Sequence, residues 1–359
     1  MRLLCAISHH GLGHLAQTAP VLGAMTRAQP GIEWHIWSGL PREVLEGRLG
    51  FQFVHRHAAA DMGLVMHDAL QVDLQGSRAA LLKFHDQWSG RVAREADWLQ
   101  REGIRGVISN VAYLPLAAAQ AQDIPAVGFS SLNWQDISRA YMEASADLAT
   151  ALEQMGAAYA KASRFLALNP GMPMAWLPNL EPAPPVADLG CNQREMLCQR
   201  LDLPADTALT LVALGGVAYR PRAPLPRIPG NLWLIPDDWR AGTGMDRDDL
   251  VGYRQAGLKF IDLLASSDRV ITKVGYGSFV EAAGQGKPLL YLDRPDWPES
   301  PWLGAWIEGH TRAQAITEEQ LGSMALGELL AELDKRPPIP PADVSGAPRI
   351  AARILEILG

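Results

Sequence analysis

Two glycine-bearing turns, each at the end of an apolar run, hold most of the chemistry that the residue types of this chain can offer. The first is Ser8-His9-His10-Gly11-Leu12-Gly13-His14, which leads into a helix expected to begin near Leu15. Gly11 and Gly13 permit a tight turn and let a ligand approach the backbone closely. Amides at a helix start, with the helix dipole behind them, favour a negative or polar group. The same positive end lowers the pKa of His14. A neutral imidazole there can take a proton from a hydroxyl, so His14 is the candidate general base. A structural turn with incidental histidines is the alternative. The third glycine of the dinucleotide-binding fingerprint is missing, since Ala16 and Gln17 stand in its neighbourhood. The remaining histidines have no metal-like spacing beyond His55-x-His57, and no metal ion or other cofactor is expected.

The second turn is Thr272-Lys273-Val274-Gly275-Tyr276-Gly277-Ser278-Phe279-Val280-Glu281. Ser278 and Glu281 match the capping-box pattern at a helix start, which would account for both residues structurally. The functional alternative is that the amides of Gly275, Tyr276, Gly277 and Ser278 hold a diphosphate, that Lys273 adds a point charge, and that Glu281 accepts two ribose hydroxyls. Gly215-Gly216 follows another apolar run and offers a second close approach to phosphate. Asp246-Arg247-Asp248 sits in a Gly-rich polar stretch and reads as a solvated turn. Asn133, Trp134 and Asp136 follow a strand and could orient an acceptor, although Trp134 is equally a candidate core ring.

The elements that would carry these turns alternate in the manner of βαβ units. Strands are expected at Leu3–Ser8, Glu33–Ser38, Phe51–His55, Gly106–Ser109, Ala126–Ser130 and Arg164–Leu168, with helices over Ser77–Arg101, Tyr113–Gln122 and Ser138–Lys161. Six prolines make 169–190 read as a linker. A second alternation follows, with strands at Leu209–Leu214, Asn231–Ile235, Leu258–Ile261, Arg269–Thr272 and Pro288–Leu292, and helices at Cys191–Leu201, Ser278–Gln285 and Glu318–Leu333. The expected division is 1–168, the linker 169–190, a second domain 191–336, and a Pro-rich segment with a terminal helix over 337–359.

A chain of 359 residues suits about two domains. A hydrophobic share of 48% with 20% charged residues is that of a globular protein, and a net charge of −7 argues against a nucleic-acid partner. Three cysteines without CxxC spacing argue against a disulfide framework and a zinc site. No apolar run is long enough to span a bilayer. The expectation is a cytoplasmic protein, with any membrane contact peripheral.

The order of strand, H-H-G-x-G-H and helix, then a Pro-rich break, GG, and K-x-G-Y-G-S-x-x-E-A resembles GT-B glycosyltransferases of the MurG and UDP-glycosyltransferase type. Within that group it is most similar to the glycosyltransferase-like N-terminal domain of L-arabinokinases. The resemblance implies an α/β chain of two Rossmann-like, doubly wound domains facing across a cleft. It implies a nucleotide sugar, UDP favoured, held mainly by the second domain, an acceptor at the first, and sugar transfer with inversion. It places the base on His14, diphosphate contacts on Gly216, Gly275, Gly277 and Ser278, and the ribose contact on Glu281. It places a base-reading strand end at Phe260 and Ile261, and sugar contacts on Asp296 and Glu299. The terminal helix would return to the first domain. A nucleotide-sugar epimerase and a non-catalytic nucleotide-sugar-binding protein are the alternative functions.

Overall fold

Leu3 to Ile7 is apolar without alternation, the pattern of a strand covered on both faces, and it forms β1 (Arg2–Ile7) with all five residues buried. The computed structural model describes residues 1–142, 146–214, 216, 219, 221–240 and 247–359, with the side chain of Arg240 left aside. Six further strands join β1 in one sheet: β2 (Glu33–Ser38), β3 (Phe53–His57), β4 (Gly106–Asn110), β5 (Ala126–Ser130), β6 (Arg164–Leu168) and β7 (Leu180–Ala183). Their order is β3-β2-β1-β4-β5-β6-β7, and every neighbouring pair is parallel. A second parallel sheet comprises β8 (Ala208–Ala213), β9 (Asn231–Ile235), β10 (Leu250–Gly252), β11 (Arg269–Lys273), β12 (Leu289–Leu292) and β13 (Ala313–Ile316). Its order is β10-β9-β8-β11-β12-β13. Each sheet reverses its winding once, between β1 and β4 and between β8 and β11. Such a switch point opens a crevice at the carboxyl ends of the strands.

Two compact units result. The first is Met1–Val186 with Trp297–Glu299 and Ser345–Gly359, and the second is Ala187–Asp296 with Ser300–Val344. The supposed linker 169–190 therefore belongs mostly to the first unit, where it supplies β7. Proline is tolerated because β7 is an edge strand: Phe165 and Asn169 donate their amides to the carbonyls of Asn179 and Ala183, which asks nothing of Pro182. The prolines at 337–341 stay with the second unit, where Ala342 donates its amide to Ala283 at 2.9 Å.

Four expected elements change, the first being the helix over Glu318–Leu333, which is two, Glu318–Leu321 and Ala325–Lys335. The helix over Ser77–Arg101 is two, Leu74–His85 and Trp88–Arg101, broken at Gln87, which takes a left-handed φ of 51°. His85 stacks there on Trp88 and Tyr113. The helix over Ser138–Lys161 becomes Trp134–Met142 and Ala149–Ala160. The strand expected at Leu258–Ile261 is absent. Phe260 and Ile261 open a helix, Phe260–Ser266, because apolar residues at 260, 261, 263 and 264 follow helical spacing, while the edge position goes to β10.

The terminal helix, Ala347–Leu358, buries Ala347, Ile350, Ala351, Ile354 and Leu358 along one stripe and packs on the helix Gly13–Ala28. Arg353 grips Glu181 of β7 with two parallel bonds of 3.0 Å. Replacing Ile354 by Ala should remove about 2–5 kcal/mol of stability from the first unit's transition in urea unfolding. An unchanged transition would mean that the helix adds nothing to that core.

Candidate active site

The loop after β1 and the end of β4 meet at the first switch point. The helix Gly13–Ala28 has no side-chain cap, and its first internal bond is Ala16 to Leu12, so the amides of residues 13–15 precede the ladder. Gly11 takes a φ of +90°, a left-handed conformation natural to glycine, and open space surrounds Gly13. His14 is 6% exposed, and its Nδ1 lies 2.8 Å from Asn110 Oδ1 at the end of β4.

The rest of the network decides which nitrogen holds the proton. Asn110 donates from Nδ2 to Gln17 Oε1 at 2.8 Å, and Gln17 donates from Nε2 to Ser131 Oγ at 2.8 Å. Asn110 therefore turns its oxygen to His14. A carboxamide oxygen accepts only, so His14 donates from Nδ1 and carries its lone pair on Nε2. Nε2 has no hydrogen-bond partner among the described residues. Burial holds the His14 pKa down at about 4, against the bond to Asn110 and the charge of Asp61, which raise it, and His10 and His9, which lower it further. The imidazole is a neutral, oriented base.

His10, His9, Asp61 and Trp134 surround it. His10 Nε2 accepts the Gly63 amide at 2.9 Å, and burial pushes its pKa down to about 3. Trp134 is buried, stands edge-on to His10 and His14 at 4.9 and 5.8 Å, and donates its indole N–H to Asp61 Oδ2 at 2.7 Å. It is a core ring and presents no stacking face. Trp176, by contrast, is exposed, and its indole N–H bonds both oxygens of Asp136. His9, His10 and Asp61 bring one ligand atom each within 4.8 Å of one another, but His10 commits its lone pair to Gly63 and has none left for a cation.

The second turn lies at the other switch point. Lys273 ends β11, Gly275 precedes the helix Tyr276–Gly284, and Phe279 to Gly275 is the first internal bond, so the amides of 276–278 form the first turn. The capping box expected of Ser278 and Glu281 does not form. The helix starts two residues early, and Ser278 instead donates to Thr272 Oγ1 at 2.9 Å, while Thr272 donates to the Ala213 carbonyl at 2.7 Å. That chain of hydroxyls ties the ends of β8 and β11 together. Tyr276, Gly277 and Glu281 are buried, Glu281 to 2% exposure, and Gly216 is exposed. Gly215 and Asp246 lie outside the described residues. Asp248 of the D-x-D string pairs with Arg227, in keeping with a surface turn.

Other expected positions separate. Phe260 and Ile261 lie in a helical turn and present no strand edge. A Cβ on Gly190 would collide with the Ile261 carbonyl, so this backbone is covered by the preceding segment. Asp296 is exposed and groups with the second unit, whereas Glu299 is buried, groups with the first, and faces the Trp297 indole N–H at 3.4 Å. Asn110, Gln17 and Asp61 are missing from the sequence-derived set. A polar pair, Ser109-Asn110, closing an apolar strand was the signal for the first of these.

No family model matches the chain. Among curated proteins, it is similar to L-arabinokinase of Arabidopsis thaliana, with 22% identity over 355 residues that cover 98% of this chain and 34% of that protein. The chain thus spans about a third of that relative's length. Among solved structures it is similar to a glycotransferase of kitacinnamycin (TM-score 0.64, 14% identity, covering 100% of this chain and 99% of that one). It is similar to Staphylococcus aureus MnaA with UDP (0.61, 12%, 99% and 96%). A UDP-GlcNAc 2-epimerase from Methanocaldococcus jannaschii also matches (0.54, 12%, 99% and 99%). The fold is GT-B. At these identities the likeness is one of fold, and the chemistry has to come from the chain's own residues.

The two buried histidines set a pH dependence. Their folded pKa values of about 4 and 3 lie below the ordinary value of about 6.5. As pH falls below 6.5 the unfolded chain takes up protons that the folded chain refuses, so stability declines towards pH 4 and 3. Asp61, raised by burial, has the opposite sign and offsets part of this loss. Urea midpoints at pH 7 and pH 4.5 should differ less in His14→Gln than in the unaltered chain, and equal differences would refute a depressed His14.

Proposed function

We propose that the protein is a nucleotide-sugar-dependent glycosyltransferase that moves a sugar from a nucleoside diphosphate, UDP favoured, to an acceptor hydroxyl. The observation that carries this reading is the neutral imidazole of His14, fixed by Asn110 with its Nε2 lone pair unengaged, at the switch point of a GT-B fold. The acceptor hydroxyl gives its proton to Nε2 of His14 as its oxygen bonds to the anomeric carbon. The bond from that carbon to the diphosphate breaks, and its electron pair leaves on the phosphate oxygen. In-line attack of this kind inverts the anomeric centre. The first-turn amides of the helix Tyr276–Gly284, the glycines 216, 275 and 277, Ser278 and Lys273 would stabilise the departing charge. Glu281 would accept ribose hydroxyls. Asp296 and Glu299 are proposed sugar contacts, and the proposed base contact at Phe260 and Ile261 would come from the start of a helix instead of a strand end.

The epimerase among the matched structures keeps a second reading in view. Incubation with a nucleotide sugar and no acceptor separates the two, because an epimerised donor would exclude the transferase.

A thermal-shift panel of UDP-, dTDP- and GDP-sugars tests the donor site, since a ligand at roughly 100 times its Kd adds about 2.7 kcal/mol. Glu281→Ala should weaken donor binding about tenfold or more. His14→Ala should leave donor binding alone and slow transfer by about 10²–10⁴. Full transfer activity in His14→Ala, or no shift with any donor, would contradict the proposal.

A further inference from the structure

We infer that His55 and His57, whose spacing sets them apart from the other histidines, form a surface site for a divalent transition-metal ion, separate from the residues assigned to sugar transfer. Side chains at i and i+2 of a strand share one face. Both residues belong to β3, the edge strand of the first sheet. Spacing alone would leave an ordinary pair, and the setting of the two rings makes it more.

His55 Nε2 lies 3.2 Å from the Ser38 carbonyl oxygen, and His57 Nε2 lies 3.1 Å from that of Gly39. A carbonyl only accepts, so each ring donates from Nε2 and keeps its lone pair on Nδ1. Neither Nδ1 has a hydrogen-bond partner among the described residues. Metal-binding histidines share this arrangement: one nitrogen tied to a carbonyl fixes the tautomer and aims the ring, and the other is left as the ligand. The ring centres are 5.4 Å apart, with the planes 38° from parallel. Two imidazoles on one tetrahedral ion, at metal–nitrogen distances of about 2.1 Å, have centres about 5 Å apart. One ion can therefore reach both rings with little movement.

The strand is held so that this face stays presented. Arg56, which points to the opposite face, lies 4.0 and 4.1 Å from the rings of Trp37 and Trp98 and pairs with Glu95 at 2.6 Å. Phe53, one step back on the histidine face, is buried and meets His55 edge-on at 6.2 Å. His57 is exposed and His55 half-buried, so the pair is open to solvent. Burial lowers the His55 pKa, against the bond to Ser38, which raises it, and His57 and Arg42 lower it further, which keeps this ligand deprotonated near neutral pH. Arg42 opposes a cation here, but its bond to Glu46 at 2.8 Å offsets that charge. Among the described residues no third His, Cys, Asp or Glu joins the pair, so water completes the coordination and the ion stays exchangeable. Imidazole suits zinc, copper and nickel, whereas magnesium and calcium take oxygen ligands.

Isothermal titration of the full chain with Zn²⁺ alone at pH 7.5 tests the site, whether or not the chain transfers sugar. One ion should bind here per chain, and His55→Ala and His57→Ala should each weaken it about tenfold or more. His67→Ala, which removes another exposed histidine, should leave the titration unchanged. Cu²⁺ should bind more tightly than Zn²⁺, and Mg²⁺ should not compete. Uptake should weaken at pH 5.5, where the imidazoles take protons instead. If His55→Ala disturbs the strand, His57→Gln carries the test at its exposed position. In 15N spectra, Zn²⁺ should move the Nδ1 resonances of His55 and His57 and leave both Nε2 nitrogens protonated. No uptake of Zn²⁺, or the same affinity in the folded His57 variants as in the unaltered chain, would overturn the proposal. So would uptake that His9→Ala abolishes and His57→Ala leaves intact, since the ion would then sit in the loop after β1.

Discussion

The buried bond between His14 Nδ1 and Asn110 Oδ1 joins the loop after β1 to the end of β4 and makes several demands on the first unit. It needs a loop that leaves β1 and turns at Gly11 so that residue 14 falls in the first helical turn. It needs β4 beside β1, which only a parallel sheet with a switch point at that place provides. It needs Gln17, one turn on along the same helix, to hold the Asn110 amide the right way round, and Ser131 after β5 to hold Gln17. Three neighbouring strands and one helix thus converge on a single proton position. Within this buried amide network, flipping Asn110 alone would set its oxygen against Gln17 Oε1, so the two amides hold their orientation together.

The second unit repeats the topology with different chemistry. Its switch point offers backbone amides and hydroxyls where the first offers imidazoles, and the Ser278–Thr272–Ala213 chain does for β8 and β11 what Asn110 and Gln17 do for β1 and β4. Glycines and first-turn amides suit an anion, whereas a buried neutral base suits a hydroxyl. That division of labour, more than likeness to proteins of 12–14% identity, gives the glycosyltransferase reading its content.

Much of the architecture was legible in the sequence. β2, β5, β6 and β9 fall on the expected residues, because continuous apolar runs bounded by turns leave little choice. The errors have physical causes. Pro182 disguised β7, since proline argues against an interior strand but not an edge one. The run at 258–261 was long enough for a strand and short enough for a helical turn. His14 and the glycine loops could be read from residue type and position. Asn110 fell one residue beyond the expected end of β4, and Asp61 sits in a loop with no spacing relation to the histidines it joins. Such pairs across 50 or 100 residues are made by topology, and a local pattern cannot contain them. Ser278 and Glu281 show the converse, a local motif overridden when the helix began at Tyr276 and the hydroxyl found Thr272.

The claim beneath all of this is that His14 is neutral, with its proton on Nδ1. The 15N chemical shifts of the two ring nitrogens at pH 7 in the unaltered chain report it directly. Nδ1 should show the shift of a protonated, pyrrole-type nitrogen and Nε2 that of a pyridine-type nitrogen with a lone pair. The reverse assignment, or two equivalent protonated nitrogens, would contradict the account.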